Sequence, residues 1–390
     1  MVRYKYLYLP VLAGMCLMFL ACAPKTREAN GVMDNPEHHY LTGVKLMDGG
    51  SLKEADREFA LALELDPDFG PAWSGRGLVR VMQGDRDGLK QITTGIRKSG
   101  GKQEKLWSYT NELRAFLSLG KSGEYSDSGM IRRGKETLDK VKLVDSETGA
   151  PYFFMGEIYL QALKFRPAET MYAKVVALDD KYTAKADRRW ELVQKAGRAA
   201  PQSTVGKEIA LVEEINRGDM AALMVRELGV QRFYSRTQKP EKSGFKEPKG
   251  LQMKHGDLYE KVKVTDVQDS PMRNDILEVV DMGVKGLQPY PDHTFRPREP
   301  MSRAEVAMLY EDIIIRATGD TSLATQYIGD ESRFPDVPSS HYAFNAIMLC
   351  TTRDLLETDL RKATFEPEST ISGVDALLSI KKLREMLSLF

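Results

Sequence analysis

The chain has 390 residues, 42% of them apolar and 29% charged, with 56 basic and 56 acidic side chains. That apolar content is too high for a disordered chain, and a mean hydropathy of -0.39 is too polar for a multispanning membrane protein. Balanced charge excludes the basic field of a nucleic-acid binder, and 3 cysteines exclude a disulfide framework.

At the N-terminus, Arg3 and Lys5 precede an apolar run from Tyr6 to Ala21 that Pro10 interrupts. The run falls short of the roughly 20 residues of a membrane span and suits the apolar region of a signal peptide. It ends in Phe19-Leu20-Ala21-Cys22, after which the chain turns polar through Glu28. This pattern resembles a bacterial lipoprotein lipobox. The resemblance implies a signal peptide over 1–21, a lipidated Cys22 and a flexible tether over 22–35. It also implies a lipid anchor in the outer membrane, on the periplasmic face. The residues themselves leave open an uncleaved anchor with an incidental cysteine. Cys350, inside the apolar stretch Ala346–Cys350, reads as a small core residue.

A period follows. Gly43 and Gly77 stand 34 residues apart, and Ala55, Phe59, Ala62 and Pro67 fall between them. Trp73 and Gly77 open a second copy, which weakens after Gly84. A further copy runs Tyr152, Gly156, Tyr159, Ala168, Tyr172, with Asp180 where proline would end the helix. Small residues at these spacings let two antiparallel helices approach, and Pro67 stops the second helix. The pattern over 36–182 resembles tetratricopeptide repeats (TPR). Segments 104–119 and 130–144 keep helical apolar spacing without the consensus and are expected to be degenerate helical hairpins. The resemblance implies a groove that takes a protein or peptide; the residues leave open a mere spacer role.

Near the C-terminus two segments align at a constant offset of 70 residues. Thr265-Asp266-Val267 matches Pro335-Asp336-Val337, and Phe295-Arg296-Pro297 matches Phe365-Glu366-Pro367. Met301-Ser302-Arg303-Ala304-Glu305 matches Ile371-Ser372-Gly373-Val374-Asp375. Ile215-Asn216-Arg217-Gly218-Asp219 imitates the same second-helix start further upstream. Ser302 with Glu305 makes a capping box, and the helices after it, after Ser372 and after Asn216 carry apolar stripes. The pattern resembles the S-layer homology (SLH) repeat. It implies an SLH domain over 183–390: a degenerate repeat at 183–230, a surface loop at 235–252 and repeats at 264–317 and 334–390. The expected fold is therefore mainly α, a TPR-like α-solenoid followed by an SLH-type pseudo-threefold helical domain.

By that resemblance, the domain binds peptidoglycan or a wall-linked polysaccharide through basic clefts between repeats. Arg303 and Arg217 occupy the arginine positions of the motif, where a planar guanidinium suits a carboxylate on an acidic sugar. Asp266, Asp336 and Glu305 occupy its acidic positions. The residues leave open a turn-shaping role for both aspartates, a capping role for Glu305 and an exposed, inert Arg303. Gly373 leaves the last groove without its arginine.

Catalytic patterns are weak. Ala115 to Ser122 fits a loose phosphate loop, but the helical stripe Leu106, Tyr109, Leu113, Phe116 makes Gly120 the expected helix C-cap. Histidines 38, 39, 255, 293 and 341 have no zinc spacing, and His293 sits in a turn slot. The expectation is a non-catalytic envelope lipoprotein with no cofactor or metal. Its partners would be the wall polymer, the membrane and an unknown protein in the repeat groove, with no nucleic acid. The alternative is an adaptor or assembly factor of an export or pilus system whose SLH region is only structural.

Overall fold

The computed structural model describes residues 26–234, 264–359 and 361–388. The expected signal peptide, Cys22 and the loop at 235–252 lie outside the described residues. The fold is mainly α, and the described residues hold no β-strand, only isolated bridges. The chain divides into two compact units after Trp190.

In the first unit, α1 (Pro36–Asp48) pairs with α2 (Leu52–Leu65), and α3 (Gly70–Met82) with α4 (Gly88–Lys98). The next pairs are α5 (Lys102–Lys121) with α6 (Asp127–Val144) and α7 (Gly149–Gln161) with α8 (Phe165–Leu178). Helix α9 (Thr183–Ala199) follows, and the division after Trp190 falls within it. Local chemistry starts and stops these helices. Asn35 caps α1 by accepting from the His38 amide, with Pro36 in the first turn. Asp66, just before Pro67, turns extended and ends α2. The wedge between helices is aromatic. A Cβ on Gly43 would lie 2.9 Å from the Phe59 ring, and one on Gly156 2.6 Å from the Tyr172 ring. Tyr172 thus repeats the part of Phe59, and its hydroxyl donates to Glu157 at 2.7 Å.

Two expectations for this unit are corrected. Gly120 is not a C-cap: α5 runs on to Lys121, and the left-handed turn falls at Gly123 with φ 76°. A Cβ at Gly120 would instead meet Met130 Sδ at 2.4 Å, so the glycine serves helix packing. The stretch 27–35, expected to be part of a flexible tether, is held against the first hairpin. Arg27 donates to both Asp34 oxygens at 2.7 and 2.6 Å, and its amide donates to the Glu64 carbonyl at 2.9 Å. His39 then bridges Glu58 at 2.7 Å and Asp34 at 3.0 Å.

Carboxylates only accept, so both His39 bonds form only when the ring is doubly protonated. Burial lowers the His39 pKa, but the bonds to Glu58 and Asp34 outweigh it and leave it raised above 6.5. A raised folded-state pKa gives stability that is complete below the unfolded value and lost as pH rises through the folded one. His39→Gln is therefore expected to cost the first unit about 1 kcal/mol in acid. The gap to wild type should narrow as pH climbs above 6.5. Denaturation followed by tryptophan fluorescence checks this, because Trp73, Trp107 and Trp190 all belong to this unit. A gap independent of pH would refute it.

In the second unit, α10 (Thr204–Ile209) leads to α11 (Arg217–Leu223), which continues as a π-helical turn through Leu228; α12 (Gln231–Tyr234) is short. Beyond the loop come α13 (Arg273–Asp281), α14 (Arg303–Thr318), α15 (Phe344–Thr352) and α16 (Gly373–Leu387). Helices α11, α14 and α16 are equivalents. Their caps Asn216, Ser302 and Ser372 each accept from the amide three residues on. The residues just before these caps, Ile215, Met301 and Ile371, are buried together. The Ile215 amide donates to the Ile371 carbonyl at 3.0 Å, and the Met301 amide donates to the Ile215 carbonyl at 3.1 Å. Short bridges Asn216–Pro300 and Ser302–Thr370 complete a pseudo-threefold contact. Cys350 lies in the core of α15, 70 residues beyond Val280 in α13, and burial raises its thiol pKa.

Candidate functional site

The 70-residue offset survives in backbone detail. Asp266 accepts from the amides of Phe295 and Arg296, both at 2.8 Å. Asp336 accepts in the same way from Phe365 at 3.1 Å and Glu366 at 2.6 Å. Arg296 and Glu366 both take positive φ, 56° and 57°, as do His293 and Ala363 at 63° and 54°. Each aspartate thus clamps the Phe-x-Pro turn that leads into the second helix, by accepting from two successive amides of the turn. His293 does serve a turn.

The motif arginines close the next contact. Arg217 is 6% exposed and spends its guanidinium on the following copy. Its Nε donates to the Phe295 carbonyl at 2.9 Å, Nη1 to Gly286 at 3.0 Å and Nη2 to Gln288 at 2.8 Å. The Tyr290 and Phe295 rings lie 4.9 and 4.8 Å from it. Arg217 is therefore a staple between copies, with Nε, Nη1 and Nη2 all spent on backbone carbonyls. Arg303 repeats the arrangement one copy on, with Nε donating to Phe365 at 2.8 Å and Nη2 to Glu357. It is only half-buried, and its Nη1 makes no hydrogen bond among the described residues. Burial lowers its pKa, against the pull of Glu366, Asp375, Glu357 and Asp336. Glu305 accepts from the Ser302 amide at 2.8 Å, closing the capping box.

Gly373 shows why the third arginine is missing. Its amide donates to the Val212 carbonyl at 2.9 Å, and a Cβ there would lie 1.7 Å from the Ile209 carbonyl oxygen. The first copy has no Phe-x-Pro turn to be stapled; its backbone at 209–212 fills the space an arginine would need.

Two clefts flank these contacts. One, of about 260 Å³, is lined by Arg303, Lys195 and Lys382 facing Glu357, Asp359, Glu366 and Asp375. Lys195 lies 3.3 Å from Asp375 and Lys382 3.1 Å from Asp354. The other, of about 640 Å³, sets Arg296 and Arg298 against Asp219, Asp266, Asp269 and Glu299. Arg296 stacks over the Tyr290 ring at 4.1 Å, while Arg298 is exposed without an ion pair among the described residues. Burial raises the pKa of Asp219. These clefts are of mixed charge, not the basic clefts the sequence led one to expect. Sequence reasoning also missed Arg298, Lys195 and Lys382. Arg298 directly follows the Phe-x-Pro turn and was findable there, whereas the two lysines reach the cleft from helices α9 and α16. Among the described residues, no cluster of His, Cys, Asp and Glu is arranged to hold a metal ion.

Residues 265–307 match the S-layer homology domain, and no curated protein matches the chain. The matched segment runs from the clamp before α13 into the first turns of α14.

Proposed function

We propose that the chain is a non-catalytic envelope lipoprotein, its cell-envelope association indicated by the wall-binding S-layer homology segment. Cys22 carries the lipid that holds it in the outer membrane, facing the periplasm. The second unit binds peptidoglycan or a wall-linked polysaccharide, and the TPR-like hairpins take a partner protein. The observation that carries the wall-binding half is the ring of three capped helices with its repeated Asp clamp and Arg staple. Arg303 is the motif arginine with an unspent nitrogen, and the cleft it lines with Lys195 and Lys382 has the donors an anionic sugar needs. No helix among the described residues is long and apolar enough to cross a membrane. Two contacts, one in the membrane and one on the wall, reinforce each other by raising the effective concentration of the second.

The mixed charge of both clefts favours a second reading, a protein-binding adaptor whose SLH unit is structural. Sedimentation with purified peptidoglycan sacculi separates the two. Wild type is expected to pellet. Lys195→Ala with Lys382→Ala should weaken pelleting roughly tenfold without unfolding the unit, since both lysines lie at its surface. Wild type that stays in the supernatant would replace wall binding with the adaptor reading.

A further inference from the structure

The anchored end of the chain is short and its first fixed turn has an apolar tip. The Arg27–Asp34 pair closes a loop, braced inside by the Asn30 amide on Asp34 at 2.6 Å and the Asp34 amide on Gly31 at 3.1 Å. The Asn35 side chain donates to the Val32 carbonyl at 3.0 Å, tying the loop to the start of α1. At the tip, Val32 is 93% and Met33 62% exposed. Isolated exposed apolar residues are common on proteins. Here, however, two adjacent ones are held out by a network of charged bonds that fixes the loop's base. The second observation is chain length. From Cys22 to Arg27 there are five residues, which reach about 17 Å at most whatever path they take.

We propose that the 27–35 loop is a membrane-docking tip: with Cys22 acylated, Val32 and Met33 insert into the interfacial layer of the same bilayer. This rests on the lipid-anchor reading above. The lipid supplies the attachment; the tip sets the attitude of the first hairpin on the membrane, because the Arg27–Asp34–His39–Glu58 contacts make loop and hairpin one piece. A bilayer is the occupant that the short leader favours, since it keeps Arg27, at the base of the loop, within about 17 Å of the anchored cysteine and so of the membrane surface.

The test uses the full lipoprotein purified from membranes and returned to vesicles of phosphatidylethanolamine and phosphatidylglycerol. Met33→Cys carries an environment-sensitive dye, and Leu143→Cys, 89% exposed on α6, is the comparison. Cys350 is buried and leaves the new thiol as the reactive one. Flotation is read first. If the protein does not float, or if Cys22→Ser floats equally, the lipid anchor is wrong and the docking tip falls with it. If flotation depends on Cys22, the dye at residue 33 is expected to brighten several-fold and to be quenched by lipids labelled in the upper acyl chain. The dye at 143 should respond to neither. Flotation with no quenching at 33, or equal quenching at both positions, overturns the tip alone and leaves the anchor standing. Val32→Asp with Met33→Asp should still float but abolish interfacial contact, read by a dye at Asn30→Cys.

Discussion

Arg217→Ala is expected to loosen the whole second unit, at a cost of about 4 kcal/mol. The substitution strands the carbonyls of Gly286, Gln288 and Phe295 without their charged donor, and it opens space between the Tyr290 and Phe295 rings. Arg303→Ala removes a similar but half-exposed staple and should cost about 2 kcal/mol, since water can replace part of what is lost. Tryptophan fluorescence is blind to either change, as no tryptophan lies beyond residue 190. Hydrogen exchange of amides in α13 and α14 reads it directly. A cost for Arg217→Ala below about 1 kcal/mol, or below that of Arg303→Ala, would show that the staple does not hold the copies together.

Restoring the missing arginine is expected to do harm. Gly373→Arg places a Cβ where the Ile209 carbonyl oxygen stands, 1.7 Å away, so segment 209–212 or helix α16 must move. The cost is about 3 kcal/mol or more, and Gly373→Ala should show most of it because the clash is at Cβ. The same exchange measurement, read in α16 and in residues 204–215, checks this. Equal protection of wild type and both variants would sink the steric account. Stronger pelleting of Gly373→Arg with sacculi would instead make the third groove a binding site that had merely lost its residue.

These two outcomes concern residues whose type was legible from the chain and whose task was not. Arg217 and Arg303 were readable as motif arginines, but a ligand role and a staple role require the same residue at the same place. Gly373 looked like decay; it is the residue that the backbone of the first copy demands. Asp266 and Asp336 were open between ligand contact and turn shaping, and in the folded chain each accepts from two amides of its turn. Gly120 was misread because a glycine near a helix end has the same local pattern whether it ends the helix or admits Met130 from the next one. The tether was misread for a related reason: Arg27 finds Asp34 nearby, but Glu64 lies 37 residues away.

What the chain determined by itself was what is encoded within a turn or two of helix, the apolar periods, the caps at Ser302 and Ser372 and the stop at Pro67, and the 70-residue offset at which such local signals recur. Such signals act through neighbours a few residues apart, so they can be read in order. Tertiary structure alone decided which charged groups are spent and which are free. Arg217 meets carbonyls about 70 residues ahead, and Lys195 meets a carboxylate 180 residues ahead. A guanidinium or ammonium group acts on whatever lies within a few ångströms, and that company is assembled only when the copies close on one another.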